Sequence, residues 1–285
     1  MEWSFGDNRW HFEPGAVARI LGIVNVTPDS FSDGGRHFNT DAAVAHGHAL
    51  QDAGASMLDV GGESTRPGAE PVSAEVEAAR TVPVVARLVR GGVAVSIDTS
   101  KAVVAEAALA AGATVVNDVT ALGDPAMAER VCAHRAGLVL MHMRGSPRTM
   151  QSGDLGSADI VGEVLAFLEE RLDRAMAAGI PRTAIVLDPG IGFGKTITQN
   201  VELLAGLDRL RGLGRPILVG LSRKSFLGSL TGRTVDLRDA ATTAAHALAV
   251  LGGADILRAH DVAAARDAAR VTAAFVAARG LAADE

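Results

Sequence analysis

Eight short apolar segments alternate with alanine-rich helical stretches from about residue 20 to the end of the chain, and this alternation constrains the fold more than any other feature. The segments are RILGIVN, SMLDV, VAVSID, TVVND, GLVLMH, AIVLD, PILVG and DILRAH. Between Asn25 on the first and Arg258 on the last, seven intervals average about 33 residues, close to the roughly 30 residues of a strand-helix-strand unit. Nearly continuous apolar strands joined by helices are typical of a parallel sheet buried on both faces. We therefore predict an α/β fold with a single (β/α)8 TIM barrel.

The helical stretches end with residues that favour helix ends. Gly54, Gly112 and Gly179 each follow such a stretch, where a residue in the left-handed conformation commonly closes a helix. Pro83 lies inside the stretch from Ser73 to Arg90. It predicts a break or kink there, because proline removes a helical hydrogen bond.

The chain has 285 residues and shows no linker, low-complexity tract or block of like charge that would mark a domain boundary. Since α/β barrels often exceed about 200 residues as one domain, we predict one barrel over residues 20–279 and a tail over 280–285. Residues 1–19 form an extension before the first strand. Its aromatic residues alternate with polar ones, which predicts a short hairpin that closes the bottom of the barrel; they are Trp3, Phe5, Trp10 and Phe12.

Composition and charge exclude several classes of protein. The chain is 48% hydrophobic and 21% charged, which is globular rather than disordered. Its net charge of −6 argues against broad binding to nucleic acid. No uncharged apolar stretch is long enough to span a membrane, and the start lacks the pattern of a signal peptide. With Cys132 as the single cysteine, no internal disulfide can form. We expect a cytoplasmic protein.

Each predicted strand ends in a polar or charged residue. In an α/β barrel these ends face one mouth, where the active site of such enzymes lies. A strand end that simply reaches water is the alternative at any single position. The residues at these ends are Asn25, Asp59, Asp98, Asn117, His142, Asp188, Ser222, Arg258 and His260.

Asp98, Asn117 and Asp188 suggest the shape of the ligand. Carboxylates accept hydrogen bonds and an amide both donates and accepts, so the three suit a flat heterocycle rich in N–H donors, such as a purine or a pterin. A divalent metal held by oxygen ligands is the competing interpretation. Two carboxylates spread over three strands are a weak cage for such an ion.

Cationic residues follow the last two strands, in Ser222-Arg223-Lys224-Ser225 and Arg258-Ala259-His260. Barrel enzymes often bind phosphate at these two loops, so we predict an anion pocket there. The alternatives are solvated residues at a helix start for Arg223 and Lys224, and a structural histidine for His260. The spacing of His260 from Arg258 puts both on one face if the strand continues.

Glycine-bounded loops follow the first two predicted strands, and a glycine-rich segment follows the sixth. The glycine-bounded loops from Asn25 and from Gly61 combine charge with hydroxyl groups, as mobile binding loops do; alternatively their prolines and glycines only turn the chain. The segment from Gly190 to Thr196 resembles a phosphate-binding P-loop. We reject that motif, because it requires glycine where Pro189 stands.

Eight motifs in order resemble the dihydropteroate synthases, of the pterin-binding barrel family, from about residue 20 to residue 265. They are NVTPDSFSDGG, GGESTRPG, SIDT, NDV, HMRGSPRTMQ, LDPGIGFGK, SRKSFLG and RAHD. The resemblance implies a transferase of folate biosynthesis, which condenses 6-hydroxymethyl-7,8-dihydropterin pyrophosphate with 4-aminobenzoate by a dissociative, Mg²⁺-assisted substitution. It also implies a homodimer with small-molecule substrates.

The resemblance implies roles for residues at matching positions. The pterin would be bound by Asp98, Asn117, Met143, Asp188, Phe193 and Lys224. The pyrophosphate would be bound by Asn25, Thr65, Arg258 and His260, with Asn25 also a ligand of Mg²⁺. The 4-aminobenzoate would be bound by Phe31, Thr65, Arg66, Pro67, Phe193 and Ser225. The catalytic groups would be Asp33, Lys224, Arg258 and His260.

Two departures from the family pattern are small, and two alternative functions fit the residues less well. Ala259 replaces a bulkier residue, and Arg144 stands where glutamine is frequent. One alternative is a related barrel enzyme that transfers a methyl group from reduced folate to a corrinoid. Such an enzyme would not need the two glycine-bounded loops that bind 4-aminobenzoate or the anion pocket after the last two strands, and their presence argues against it. The other is a non-catalytic paralogue, which should have lost one of the residues that serve the chemistry. All six are present: Asn25, Asp33, Arg66, Lys224, Arg258 and His260.

Overall fold

The computed structural model describes residues 1–27, 36–64, 68–146, 148–150 and 155–280, with backbone alone for residues 36–39. Within these ranges an eight-stranded sheet is surrounded by helices, and a two-stranded sheet precedes it. The small sheet pairs β1 (Glu2–Phe5) with β2 (Asn8–His11) in antiparallel register. The strands of the large sheet are β3 (Arg19–Asn25), β4 (Met57–Gly61), β5 (Val95–Asp98), β6 (Val115–Asp118), β7 (Gly137–Met141), β8 (Ile185–Asp188), β9 (Leu218–Gly220) and β10 (Ile256–Ala259).

Helices follow each of these eight strands. They are α1 (Arg36–Asp52), α2 (Ala74–Arg90), α3 (Ala102–Ala110), α4 (Met127–Ala133), α5 (Ile160–Ala177), α6 (Ile197–Ala205), α7 (Leu207–Leu210), α8 (Ser225–Thr231), α9 (Asp239–Leu251) and α10 (Val262–Ala278). None of the described helices is long and apolar enough to cross a membrane.

The large sheet closes on itself. Its strands pair in parallel in the order β8-β7-β6-β5-β4-β3-β10-β9, and a parallel bridge between Leu187 and Ile217 joins the two ends. The predicted TIM barrel with an N-terminal hairpin is confirmed. All eight strands lie where the apolar segments predicted them.

Alternating side chains divide each strand between two environments, as the period of a β-strand requires. On β10, Leu257 and Ala259 pack outward against the helices, whereas Ile256 joins a separate cluster inside the barrel. Arg258 and His260 share the inward face with Ile256. The same alternation turns the polar residues at the other strand ends into the barrel mouth.

The hairpin closes the opposite end. Trp3, Phe5 and Phe12 are buried among the first inward residues of the strands, which include Leu21 and Met57. The indole Nε1 of Trp3 donates to the carbonyl of Ala184 at 2.9 Å. The bottom of the barrel is therefore apolar and filled, as the alternating aromatic residues of the extension predicted.

Pro83 does not break its helix. The α2 helix runs continuously from Ala74 to Arg90 with Pro83 inside it. Of the predicted break or kink, the break is therefore wrong. Thr81 precedes Pro83, and Val84, Val85 and Leu88 follow it; all four are buried. We attribute the continuity to this apolar face, whose burial offsets the lost hydrogen bond.

Candidate active site

Inward polar side chains from adjacent strands meet at the carboxyl ends of the barrel strands. Asp98 on β5 pairs in register with Asn117 on β6, and Gly61 on β4 pairs with Asp98. Asp98, Asn117 and Asp188 are all buried. Because they lie on the inward face one layer above the apolar bottom, they line a polar recess that opens at the mouth.

Arg258 lies at the centre of this recess. Its Nε donates to Asp59 Oδ2 at 2.6 Å, and its Nη2 donates to Asp98 Oδ2 at 2.7 Å. Asn117 Nδ2 donates to the same oxygen of Asp59 at 2.9 Å. The arginine predicted to bind pyrophosphate therefore also orients the carboxylate and the amide predicted to bind the pterin.

Asp59 was missed as a site residue by sequence reasoning, although it was noted as a polar strand end. It is fully buried and accepts from both Arg258 and Asn117. A carboxylate inside an otherwise apolar strand was the signal available in the sequence, since a buried charge is rarely tolerated without a partner. The partner lies about 200 residues away in sequence, so the pairing could not be read from spacing.

Burial and charge shift the protonation equilibria of this cluster. Burial raises the pKa of Asp98, although Arg258 opposes the shift. Burial opposes the charge of Arg258, but the Asp59 and Asp98 carboxylates outweigh it and raise the pKa of the guanidinium. Arg258 therefore stays charged, while Asp98 is an acceptor whose charge depends on its neighbours.

Asp188, Phe193 and Lys224 form the other wall of the recess. The backbone N–H of Gly190 donates to Asp188 Oδ1 at 2.7 Å, and Lys224 Nζ lies 3.8 Å from the centre of the Phe193 ring. Burial raises the pKa of Asp188 to about 6, against the opposing effects of Gly190 and Lys224. Burial also lowers the pKa of Lys224 to about 8, against the effect of Asp188. Arg258 affects the pKa of both Asp188 and Lys224, so this wall lies within electrostatic reach of the Arg258 cluster.

Asn25 and His260 meet at the rim. Asn25 Nδ2 lies 3.5 Å from His260 Nε2, and the backbone N–H of His260 donates to Ser222 Oγ at 3.2 Å. These residues come from the first, seventh and last strand ends of the barrel. The structure thus brings together the predicted pyrophosphate residues Asn25, Arg258 and His260 at one side of the mouth.

The structure also gives the positions of two predicted substrate-binding residues, Met143 and Ser225, and of Arg223 from the predicted anion pocket. Met143 is half-buried, two residues after β7, and Ser225 is exposed at the first position of α8. Arg223 turns away from the mouth, because its guanidinium pairs with Asp239 on α9 at 2.9 and 3.3 Å. The predicted anion pocket therefore has Lys224 but not Arg223. Phe31, Asp33, Thr65, Arg66 and Pro67 lie outside the described residues.

The base of the second glycine-bounded loop is held by an ion-pair cluster that the sequence did not reveal. Lys101 Nζ donates to Glu63 at 2.7 Å and to the fully buried Glu77 at 2.5 Å. Glu63 also accepts from the backbone N–H of Val72 at 2.9 Å, across nine residues. The two ends of the loop therefore converge beside the recess.

A concave region also exists at the opposite end of the barrel. It has a cavity of about 650 Å³ lined by the extension, the start of β3, the segment just before β10, and α10. Its charged residues include Arg211 and Asp255, which pair with each other at 3.6 Å. The predicted ligand groups converge at the mouth and not in this cavity, so we assign the candidate active site to the mouth.

Comparisons with known proteins agree with this site. The sequence model of a family described as “Pterin binding enzyme” matches residues 21–260. The dihydropteroate synthase of Mycobacterium leprae is 46% identical over 268 residues, covering 92% of this chain and 94% of that protein. The fold and the site thus define a pterin-binding barrel enzyme.

Solved structures narrow the assignment. The dihydropteroate synthase of Xanthomonas albilineans with 4-aminobenzoic acid has a TM-score of 0.86 at 50% identity, covering 92% of this chain and 94% of that one. The same enzyme in complex with 7,8-dihydropteroate also has a TM-score of 0.86, at 45% identity, covering 97% and 99%. The chain belongs to the pterin-binding enzymes and, among them, to the dihydropteroate synthase family.

Proposed function

We propose that this protein is a transferase that condenses 6-hydroxymethyl-7,8-dihydropterin pyrophosphate with 4-aminobenzoate, giving 7,8-dihydropteroate and pyrophosphate in folate biosynthesis. The observation that carries the proposal is the recess in which Arg258 orients Asp98 and, through Asp59, Asn117. Asp188 faces this group from the other wall. The relatives' bound 4-aminobenzoic acid and 7,8-dihydropteroate support the two ends of the reaction.

Pterin recognition follows from the donors and acceptors of the recess. A pterin presents ring N–H and amino donors, which the carboxylates of Asp98 and Asp188 accept, while the Asn117 amide can both donate and accept. Phe193 and Met143 supply apolar contact to the flat ring. Each hydrogen bond to a charged group contributes about 1.5–3 kcal/mol, so a few of them fix the orientation of the ring.

The chemical step requires stabilisation of the leaving pyrophosphate. Arg258 uses Nε and Nη2 on Asp59 and Asp98, and we propose that Nη1 of the same planar guanidinium donates to a phosphate oxygen. His260 and Asn25 stand together at the rim and complete the contact. In a dissociative substitution the pyrophosphate leaves before the aromatic amine attacks, so these preorganised groups act where negative charge develops. We propose that Asp33 stabilises the cationic methylene.

The 4-aminobenzoate is proposed to enter over Phe193 and Lys224, with its carboxylate at the Ser225 hydroxyl. Phe31, Thr65, Arg66 and Pro67 would frame the rest of this slot, with Thr65 also reaching the pyrophosphate. Lys224 would then contact both substrates, because its ammonium group lies over the Phe193 ring, which is proposed to contact both of them. This arrangement keeps water from the reacting carbon once both substrates are bound.

Mg²⁺ is proposed as the cofactor, with Asn25 as its protein ligand. Among the described residues, no group of three histidine, cysteine or acidic side chains is placed to hold a metal ion. A single amide oxygen fits an ion that is bound mostly through phosphate oxygens, as Mg²⁺ usually is. When bound, Mg²⁺ would neutralise the leaving group.

Removal of divalent cations should therefore lower turnover by at least about 100-fold, because a large part of the leaving-group stabilisation is lost. The measurement is the rate after treatment with a chelator, followed by titration with Mg²⁺. The binding of a pterin without pyrophosphate should not change under the same treatment. Full turnover without divalent cations would contradict the proposed cofactor.

We also propose that the protein is a homodimer located in the cytoplasm. The adjacent helices α9 and α10 expose large apolar side chains, with Leu248 56%, Val271 71% and Phe275 47% exposed. A second copy of the chain would remove this surface from water. Sedimentation should give twice the mass of one chain, and Val271→Glu should shift the equilibrium toward the monomer. A wild-type monomer at micromolar concentration would contradict the dimer.

The central experiment measures pyrophosphate release by the purified protein with the pterin pyrophosphate and Mg²⁺, with and without 4-aminobenzoate. We expect release to require 4-aminobenzoate and to match the formation of dihydropteroate. Release independent of 4-aminobenzoate would show that the proposed reaction is wrong. Binding of the pterin without any release would favour a non-catalytic paralogue, and methyl transfer from reduced folate would favour the corrinoid-dependent alternative.

The binding of the two substrates should be weakened by different substitutions. Asp188→Ala should weaken pterin binding by about 10- to 100-fold even without 4-aminobenzoate, because a charged hydrogen-bond acceptor is lost. Ser225→Ala should chiefly raise the KM for 4-aminobenzoate, and Ser229→Ala on the same helix is the matched control. Pterin affinity is measured by calorimetry and both KM values by steady-state kinetics. Equal effects of the two substitutions on both substrates would contradict this division.

A further inference from the structure

Lys195 is a buried lysine to which the proposed reaction gives no role. It belongs to the segment from Gly190 to Thr196, which resembles a P-loop without being one, and it is only 2% exposed. A lysine is almost never buried without partners. Its surroundings therefore show what the segment does instead of binding phosphate.

The ammonium group of Lys195 reaches back into the loop that carries it. Nζ lies 2.7 Å from the carbonyl of Gly190 and 3.1 Å from the carbonyl of Phe193. Its third close contact is His142 Nδ1, at 2.9 Å, at the end of the neighbouring strand β7. The carbonyl of His142 lies farther from Nζ, at 3.5 Å. The three N–H donors thus have three close acceptors, two in the loop after β8 and one in the loop after β7.

The histidine is in the protonation state that this arrangement requires. Burial and the nearby Lys195 charge lower the pKa of His142 to about 3, so the ring is neutral at neutral pH. A neutral imidazole with its proton on Nε2 offers Nδ1 as an acceptor. The ammonium is therefore fully bonded, whereas a neutral amine would have one donor fewer than its acceptors need.

The loop that Lys195 holds is tightly packed. Gly190 has φ +64°, and a Cβ atom there would lie 1.8 Å from the carbonyl oxygen of His142. The backbone of Gly190 also donates to Asp188 Oδ1, and Gly192 donates to Asn200 Oδ1 at 2.6 Å. Asp188 and Phe193 thus belong to one fixed unit with Lys195 inside it.

We propose that Lys195 is a positioning residue for the pterin site: its buried side chain fixes the backbone of residues 188–193 so that Asp188 and Phe193 face the ligand. Lys195 acts through these two residues and does not itself contact the pterin. The inference rests on the proposed function, because it assumes that the recess binds a pterin.

The charge of Lys195 should make the affinity for the pterin depend on pH. Burial lowers the pKa of Lys195 to about 7, against the opposing effect of Asp188. Above that pH the amine becomes neutral and loses one donor, so pterin affinity should fall. The titratable and charged groups that face it across the packed loops and α5 are Asp188, His142, Arg144, Glu163 and Lys224.

The test is a double-mutant cycle on pterin binding, with 6-hydroxymethyl-7,8-dihydropterin pyrophosphate as the probe and no 4-aminobenzoate. Lys195→Met and Phe193→Ala should each raise the Kd about tenfold. The double variant should bind more tightly than the product of the two single effects predicts, because part of the effect of Lys195 passes through Phe193 and the rest through Asp188. Lys195→Met combined with Asp98→Asn, on the other wall, should instead show multiplied effects.

A second measurement separates positioning from a general loss of structure. Asp98 and Asp188 also have raised pKa values and gain charge as the pH rises, so the contribution of Lys195 is the difference between the wild-type and Lys195→Met profiles. This difference should disappear as the pH rises through about 7. In Lys195→Met a fall in affinity should begin only near pH 8, where Lys224 loses its charge. Circular dichroism and thermal unfolding confirm that each variant is folded, and Lys195→Gln, which retains two donors, replaces the methionine variant if that one is unfolded.

The inference is overturned by unchanged pterin affinity in a folded Lys195 variant, or by multiplied effects of the Lys195 and Phe193 substitutions. It is also overturned if both Lys195 variants are unfolded, since Lys195 would then serve only stability. Failure of the wild type to bind the probe would instead contradict the proposed function.

Discussion

Arg258→Leu should lower the free energy of unfolding by about 3–5 kcal/mol, because it leaves the buried Asp59 and Asp98 without their counter-charge. It should also lower turnover by at least about 100-fold, since the same guanidinium is proposed to stabilise the leaving group. Both carboxylates lie within 2.7 Å of the arginine nitrogens, and Asp59 is fully buried. Denaturant unfolding and the pyrophosphate-release assay measure the two effects.

Two further variants show whether the buried charge is the cause. Asp59→Asn in the Arg258→Leu background should recover part of the lost stability, because it removes one uncompensated charge. Arg223→Leu is the matched control: its side chain is 42% exposed and pairs with the half-exposed Asp239. An exposed pair is worth at most about 1 kcal/mol. Equal losses for Arg258→Leu and Arg223→Leu would contradict the explanation.

Trp3→Ala should lower the free energy of unfolding by about 3–5 kcal/mol, with little effect on kcat or KM at temperatures where the protein stays folded. Trp3 is fully buried, packs 4.8 Å from the Phe5 ring and donates to Ala184. Its removal leaves a cavity at the bottom of the barrel, while the candidate active site lies at the other end. Urea unfolding and steady-state kinetics are the measurements.

Trp3→Phe and Val17→Ala are the controls for this prediction. The phenylalanine variant retains most of the apolar contact and should lose less stability than the alanine variant. Val17 belongs to the same extension but is 49% exposed, so its truncation should cost less than about 0.5 kcal/mol. A large fall in turnover for folded Trp3→Ala would show that the two ends of the barrel are coupled, contrary to this expectation.

The architecture was predictable because it rests on local and repeated properties. The period of two and the polar end of each strand are visible in a short segment of the chain, and the regular spacing of the strands is visible along the whole sequence. Together they indicate a barrel with its site at one mouth. The inward direction of Arg258 and His260 follows from the same period of two. The resemblance in eight motifs then supplied the chemistry, which spacing alone left open between a heterocycle and a metal.

Contacts between distant segments were not predictable in this way. Pro83 predicted a break or kink, but tertiary burial of its flanking residues keeps the helix continuous. Arg223 and Lys224 are neighbours with the same charge, yet one pairs with Asp239 outside the site and the other stacks on Phe193 inside it. Which way each points depends on α9 and on the loop after β8.

By itself, the sequence determined the barrel, the mouth at which the site lies and the family to which the chain belongs. All three depend on periodic patterns or on motifs of contiguous residues. Only the tertiary structure decided how the charges are partnered: Arg258 with Asp59 and Asp98, Lys101 with Glu63 and Glu77, and Lys195 with its own loop and His142. The physical reason is that a buried charge must find a partner in space. In a closed barrel that partner can come from any strand end, at any separation in sequence.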